Sequence, residues 1–300
     1  MRLFLCALAL AAAPLRAAPS APYGILLMAH GGEPSWNAEI ERLRASVDAT
    51  VPTETALGMA DTEALQAAVL RLEKRGVGRI AAVPLFVQTR SEVLDQTRYA
   101  LGLAAEPSAP LKAAYERMAA AHAGHGAMHG HSMALSLERV KAREPIAMAD
   151  ALDAHALVGR ILLERAKALS REPATEAVIL VAHGPVDDAA LAAWKASLDA
   201  QCAAIKKGKF KDCAYGILRD DSAPEIRAAA VAELRAKVAR AQRPIVVPVL
   251  IARGGIEKKI EKDLAGLKYS WDGKTLMPHA GFDAWVLEAA ATAEAGRSAH

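Results

Sequence analysis

The sequence is poor in aromatic residues and lacks the short motifs that mark several large enzyme classes. Phe, Trp and Tyr make up only 4% of the chain, too few for the stacking platform of a single-strand nucleic-acid binder. It contains no Gly-x-x-x-x-Gly-Lys-Ser/Thr phosphate loop, no Gly-x-Ser-x-Gly elbow and no Cys-x-x-Cys pair. The formal net charge of +3 is too small to imply a polyanionic partner. The composition therefore predicts a globular protein with no nucleic-acid partner.

Long apolar runs are missing as well, apart from a short one at the start of the chain. Arg2 precedes an apolar run at 3–14, and small residues then continue to Ala21. This pattern predicts a secretory signal peptide over residues 1–21, with cleavage between Ala17 and Ala21; the alternative is a buried N-terminal helix. We therefore expect a periplasmic or secreted protein that has no membrane association once the signal is removed.

Cysteine is rare, and export would leave only Cys202 and Cys213 in the mature chain. An even pair in an oxidising compartment is able to form a disulfide. The sequence does not fix the distance between the two Cα atoms, so a disulfide and two free thiols both remain open.

The chain does contain a loose internal repeat. Two continuous apolar runs, 25–29 and 178–182, each end at His-Gly, which predicts strands buried on both faces. Similar patterns follow in both halves. They are helical patterns at 36–47 and 189–204, strand-like segments at 56–61 and 215–220, helical patterns at 62–75 and 223–241, and apolar Val-Pro runs at 80–87 and 245–251.

This order predicts an α/β fold of two tandem lobes, each a parallel sheet flanked by helices, with a cleft between them. Ligands of open parallel sheets bind outside the carboxyl ends of the strands, where both His-Gly motifs fall. The predicted divisions are an N-terminal lobe at 22–120, a His-rich loop at 121–134, a connecting helical segment at 135–172 with its periodicity at 146–169, and a C-terminal lobe at 173–300.

His30 and His183 are the first candidates for chemistry, because imidazole binds transition metals and a carboxylate can complete such a site. One strand-end histidine is more often a structural residue, but two at equivalent positions of a repeat indicate a functional role. Glu92, in the loop after the first Val-Pro run, is a candidate metal ligand or general base. Its alternative role is a favourable interaction with a helix dipole.

Two further groups carry weaker hypotheses. Four histidines within ten residues predict loose metal binding, for collection or delivery, or else a solvated loop without a specific role; they are His122, His125, His129 and His131. Arg253 and Lys258 follow the second Val-Pro run and are candidates for steering a polycarboxylate substrate. The alternative for both is a solvated helix face.

The two His-Gly strands, together with Val-Pro-Leu-Phe at 83–86 and Val-Pro-Val-Leu at 247–250, resemble the CbiX-type sirohydrochlorin chelatases. These are class II tetrapyrrole chelatases, related in fold to ferrochelatase, and the resemblance covers residues 22–100 and 176–290. It implies insertion of cobalt or ferrous iron into a sirohydrochlorin-type macrocycle without ATP. The divalent metal would be a substrate, and no organic cofactor is implied. His30 and His183 both match the strand-end histidine of the family.

The chain departs from the family in the loop after each Val-Pro run, where members carry Gly-Gly-His. The first half has Glu92 at this point, and the second half has Gly-Gly at 254–255 followed by Ile256. The resemblance therefore implies one asymmetric catalytic and metal-binding site formed by His183, Glu92 and His30. We expect an exported CbiX-like chelatase, or alternatively a non-catalytic periplasmic protein that binds metal or tetrapyrrole on the same scaffold. The oligomeric state is left open.

Overall fold

The computed structural model describes residues 22–109, 112 and 137–297. The predicted signal peptide at 1–21 and the four-histidine tract at 122–131 lie outside the described residues. Among the helices that are described, none combines the length and the apolar character needed to cross a bilayer.

Strands and helices alternate along the chain. The strands are β1 (Tyr23–Ala29), β2 (Thr53–Leu57), β3 (Arg79–Pro84), β4 (Ile146–Met148), β5 (Ala177–Ala182), β6 (Asp212–Ile217) and β7 (Ile245–Val249). The helices are α1 (Pro34–Asp48), α2 (Thr62–Lys74), α3 (Glu92–Ala100), α4 (Ala156–Leu169), α5 (Asp188–Lys207), α6 (Pro224–Arg240), α7 (Ile256–Asp263) and α8 (Gly281–Arg297).

The strands form two parallel sheets, with the orders β2-β1-β3-β4 and β6-β5-β7. The predicted α/β class, with two parallel sheets flanked by helices, is confirmed. β1 and β5 are internal strands, and nearly all of their residues are buried. This explains why both read as continuous apolar runs, since each packs helices on its two faces. Each of the two histidines therefore follows an internal strand of its sheet.

The second strand of each half ends earlier than the sequence predicts. The strand-like segments 56–61 and 215–220 leave the sheet after Leu57 and Ile217. Ala60 and Arg219 follow at φ 59° and φ 55°, a left-handed conformation that cannot continue a strand. Each strand is thus followed by a short turn at the carboxyl edge of its sheet.

The connecting segment also differs from the prediction of helix over 146–169. Ile146–Met148 instead forms β4, which extends the first sheet by pairing with β3. Helix α4 begins only at Ala156, where the Nδ1 atom of His155 accepts a hydrogen bond from the Leu157 amide at 3.2 Å. The residues at 146–148 pair with the otherwise open edge of β3. Helical periodicity in the sequence does not show that such an edge is present.

Two helices pack across the expected division of the chain. α4, from the connecting segment, packs on β7 and α5, whereas the C-terminal helix α8 packs on β3, β4 and α1. One continuous core therefore lies between the two sheets and includes Ile25, Val83, Leu180 and Trp285. Helices α2 and α6 cover the outer faces of the first and second sheets over separate apolar clusters. The last helix thus covers the first sheet.

Cys202 of α5 and Cys213 of β6 form a disulfide, with their Cα atoms 5.3 Å apart. The question that the sequence left open is answered in favour of the cross-link. It closes the basic connection at 203–212 and joins the helix to the edge strand of the second sheet.

Candidate functional site

The two His-Gly turns, at the carboxyl ends of β1 and β5, share one local geometry. Gly31 and Gly184 adopt φ 78° and φ 83°, a left-handed conformation that favours glycine. Each glycine carbonyl contacts the imidazole of the histidine before it. The oxygen of Gly31 lies 2.6 Å from Nδ1 of His30, and that of Gly184 lies 2.9 Å from Nδ1 of His183. Because a carbonyl only accepts hydrogen bonds, Nδ1 is the donor, and Nε2 is left to bind a metal or a proton.

His183 has an acidic partner. Its Nε2 atom lies 3.2 Å from Oδ2 of Asp221, and 28% of its side chain is exposed. Burial lowers the pKa of the imidazole, but the hydrogen bonds to Asp221 and to the Gly184 carbonyl, with the charges of Asp221 and Asp220, outweigh it and raise the pKa of His183 above its usual value. With acceptors at both ring nitrogens, the doubly protonated ring is favoured.

Asp221 links the two lobes electrostatically. The hydrogen bond from His183 lowers the pKa of the Asp221 carboxyl despite partial burial, and the charges of Lys259 and His30 lower it further. His30 comes from the first sheet and Lys259 from helix α7 beside the second. The two histidines predicted from the sequence therefore act on a common carboxylate. That carboxylate remains 66% exposed, so a ligand from solvent has access to it.

Glycine-containing loops from both halves contact the indole ring of Trp36. A Cβ atom added to Gly32 would lie 3.4 Å from Cγ of Trp36, and one added to Gly254 would lie 3.4 Å from Cδ1 of the same ring. The loop after β7 is held in this position by Glu257, whose Oε2 accepts hydrogen bonds from the Gly254 and Gly255 amides at 3.3 and 2.9 Å. The absence of side chains at these glycines lets the second lobe approach α1 closely.

Glu92 is the first residue of α3, and its side chain is exposed. The hydroxyl of Ser91 caps the helix by accepting a hydrogen bond from the Leu94 amide at 3.3 Å, so Glu92 also lies where the helix dipole favours a carboxylate. Within the described ranges no ion pair joins Glu92 to His183, whose acidic partner is Asp221. The role of Glu92 as a metal ligand stays a prediction.

The predicted basic residues follow the carboxyl end of β7, in the loop and in the helix after that strand. Arg253 is exposed, and its guanidinium lies 3.6 Å from the position of a Cβ added to Gly273. Lys258 is exposed in the first turn of α7, and its neighbour Lys259 is the one that acts on Asp221. The predicted steering role of Arg253 and Lys258 is not tested by these contacts and stays a prediction.

Asp221 is the functional candidate that sequence reasoning missed. It lies four residues beyond the end of β6, which pairs with β5 through Ala182 and Ile217. A signal was available, because the rule that ligands bind at carboxyl ends applies to every parallel strand and not only to the internal ones. Applied to β6, it would have drawn attention to Asp220 and Asp221.

In the part of the chain that the structure describes, no group of three or more His, Cys, Asp and Glu side chains is arranged to hold a metal ion. The described site thus consists of the His183–Asp221 pair and of His30, whose charge acts on Asp221.

The two-sheet fold is similar to that of solved sirohydrochlorin chelatase structures, and the predicted resemblance is confirmed at the level of the fold. SirB from Bacillus subtilis with Fe³⁺ is similar, with a TM-score of 0.58, 16% identity, and coverage of 93% of this chain and 98% of that one. SirB from Bacillus subtilis subspecies spizizenii in complex with cobalt has a TM-score of 0.55 and 15% identity, with coverage of 91% of this chain and 96% of that one. CbiX, the terminal enzyme for biosynthesis of siroheme in denitrifying bacteria, has a TM-score of 0.52 and 16% identity, with coverage of 90% of this chain and 99% of that one.

The sequence matches no protein-family model and no curated protein. At these identities the structural likeness establishes the fold, while function has to be argued from the site.

Proposed function

We propose that the protein is an exported CbiX-like chelatase that inserts a divalent metal, cobalt or ferrous iron, into a sirohydrochlorin-type tetrapyrrole. The observation that carries this proposal is the His183–Asp221 pair at the carboxyl edge of a chelatase fold, with His30 acting on the same carboxylate. The similar SirB structures were determined with Fe³⁺ and with cobalt, which supports a transition metal as the substrate.

The pair suits the reaction because insertion exchanges one metal ion for two pyrrole protons. Nε2 of His183 and Oδ2 of Asp221 share a proton at 3.2 Å, and both atoms are metal ligands once that proton is lost. In the proposed order of steps, His183 and Asp221 bind the metal first. When the metal passes to the macrocycle, Nε2 of His183 accepts one pyrrole proton, and Nε2 of His30 accepts the other.

Positive side chains near the pair suit a macrocycle that carries several carboxylates. Lys259 already acts on Asp221, and Arg253 and Lys258 are exposed in the loop after β7 and in the first turn of α7. In the proposal these residues attract the substrate and orient its carboxylates, so that the pyrrole nitrogens face the metal.

We also propose that the mature protein works in the periplasm or outside the cell. The basic, apolar and small-residue segments at 1–21 support export. The Cys202–Cys213 disulfide supports it independently, because disulfides persist mainly in oxidising compartments.

A second candidate is a non-catalytic protein that binds metal or tetrapyrrole. Ile256, at the position where the family carries histidine, cannot bind a metal. The missing three-ligand group, within the ranges that the structure covers, favours the same alternative.

One assay separates the two candidates. The purified mature protein is mixed anaerobically with sirohydrochlorin and Co²⁺ or Fe²⁺, and insertion is followed by absorbance. Insertion faster than the spontaneous reaction supports the chelatase. Binding of metal or macrocycle without acceleration supports the alternative. Deletion of residues 122–131 is the matched control, because it removes four other histidines; we expect His183→Ala to reduce insertion far more than this deletion.

A further inference from the structure

Arg219 is a buried arginine in the turn that follows β6. Only 8% of the residue is exposed, and its φ of 55° is a conformation that side-chain-bearing residues disfavour. A strained backbone that holds a buried charge requires compensating contacts nearby. Those contacts lie in the loop that begins at His183.

One arginine binds most of that loop. Its backbone amide donates to the carbonyl of His183 at 2.7 Å. Its guanidinium donates from Nε to the carbonyl of Pro185 at 3.0 Å and from its two terminal nitrogens to the Val186 carbonyl and the Asp188 carboxylate. The rigid fork of donors satisfies three acceptors at once, which the ammonium of a lysine cannot reproduce in the same geometry.

The next two residues fix the same turn from the other side. The fully buried carboxylate of Asp220 accepts a hydrogen bond from Nε of Arg227 on α6 at 2.8 Å. Asp221 then contacts His183. The turn 219–221 therefore holds the loop after the histidine, is itself anchored to a helix, and presents the carboxylate partner of the histidine.

The first half lacks this arrangement. Ala60, three residues beyond the end of β2, is the left-handed residue of the first turn at φ 59°, and its methyl side chain has no donor. The loop after His30 is held through Gly32, whose amide donates to Oδ1 of Asn37 at 2.9 Å and whose carbonyl accepts from Nδ2 of Asn37 at 3.0 Å. That support comes from the following helix and not from the turn after the neighbouring strand.

We propose that Arg219 is a positioning residue, which fixes His183 and Asp221 in the geometry that binds the divalent metal substrate. This inference rests on the proposed function, because it takes the His183–Asp221 pair as the metal site. Residues that orient metal ligands change metal affinity without contacting the ion. Arg219 fits that description, since it contacts the loop of one ligand and lies two residues before the other in the same turn.

The test compares Arg219→Gly with Ala60→Gly. Both substitutions relieve a left-handed backbone, but only the first removes a guanidinium. Co²⁺ binding to the mature protein is followed by visible absorption, and the signal that remains in His183→Ala is subtracted to remove binding elsewhere. We expect Arg219→Gly to weaken the His183-dependent affinity about 10-fold or more, as for other residues that orient ligands. Ala60→Gly should leave it within about 2-fold.

Asp188→Asn is a second variant in case Arg219→Gly fails to fold. The Asp188 side chain is 81% exposed, and the substitution removes only the charge of one partner of Arg219. We expect it to weaken His183-dependent binding about 2- to 3-fold, with an unchanged melting temperature. Arg219→Lys should fall between Arg219→Gly and the wild type. Unchanged affinity in both Arg219→Gly and Asp188→Asn would overturn the positioning role. Equal Co²⁺ binding by His183→Ala and the wild type would instead overturn the metal site itself, and with it the proposed function.

Discussion

The turns after β1 and β5 share a backbone but differ in their surroundings. In both, a left-handed glycine returns its carbonyl to Nδ1 of the preceding histidine. His183 is half-buried and faces Asp221, whereas His30 is exposed and, among the described residues, has no carboxylate within ion-pair distance. The repeat therefore places two imidazoles equivalently, while their chemistry is set by side chains outside the repeated motif. Position alone does not make two residues functionally equivalent.

The largest expected effect tests this asymmetry directly. His183→Ala should reduce the rate of metal insertion about 10²- to 10⁴-fold, the range for a lost general base. His30→Ala removes the second proton acceptor, which has no carboxylate at ion-pair distance among the described residues, and should cost about 10²-fold, the lower end of that range. Initial rates at saturating metal and macrocycle measure both. Equal losses would show that the two histidines contribute equally and that the His183–Asp221 contact adds nothing.

The cross-link distinguishes the two halves in stability. Cys202 and Cys213 are separated by 11 residues, and a disulfide that closes a loop of this size contributes about 3 kcal/mol, mainly by restricting the unfolded chain. Cys202→Ser combined with Cys213→Ser should lower the free energy of unfolding by about that amount. Urea unfolding with and without reductant measures it. The double variant is its own control, because reductant should leave its stability unchanged.

The glycines of the two turns offer a matched pair of substitutions. A Cβ added at Gly184 would lie 2.2 Å from Cγ2 of Ile217, whereas one added at Gly31 meets its nearest neighbour, the amide of Gly58, at 3.4 Å. Both substitutions force alanine into a left-handed conformation, which costs about 1–2 kcal/mol. Gly184→Ala should cost about 1–3 kcal/mol more than Gly31→Ala because it also creates a clash. Thermal unfolding of the two variants compares these costs.

The sequence predicted the parts of this structure that depend on local patterns. Continuous apolar runs predicted β1 and β5, and the glycine after each histidine predicted the turns. It did not predict β4, because three apolar residues at 146–148 become a strand only when an open sheet edge is present. It did not predict that α8 covers the first sheet, because periodicity shows which face of a helix is buried but not against which element. The carboxyl-end rule indicates the position of Asp221 after β6, but its partnership with His183 depends on the pairing of β5 with β6.

The contrast between Asp221 and Glu92 compares a partner found in the structure with one predicted from the sequence. Asp221→Asn keeps the shape of the side chain but removes its charge, and it should slow insertion about 10- to 100-fold. Glu92→Gln should have a smaller effect, because Glu92 is exposed and has no ion pair with His183 within the described residues. Insertion rates decide between them. A larger loss for Glu92→Gln would restore it as the principal carboxylate of the site.

The smallest expected effect is a dependence of stability on pH that comes from the His183–Asp221 pair. The pKa of His183 is raised, so its contribution is fully present below the pKa of an unfolded histidine, about 6.5, and is lost as pH rises through the raised value. The pKa of Asp221 is lowered, so its contribution is present above about 3.9 and is lost only as pH falls through the lowered value.

The pair therefore stabilises the fold in the mildly acidic range, by about 0.2–1 kcal/mol, because Asp221 is largely exposed and solvent screens it. Urea unfolding should show wild type more stable than Asp221→Asn by this amount at about pH 5–6, and no difference at about pH 9. Metal affinity should change in the opposite direction, since a proton on Nε2 excludes the metal, and should rise as pH increases through the raised pKa of His183. A stability difference that persists unchanged at about pH 9 would mean that Asp221 acts through packing and not through its charge on His183.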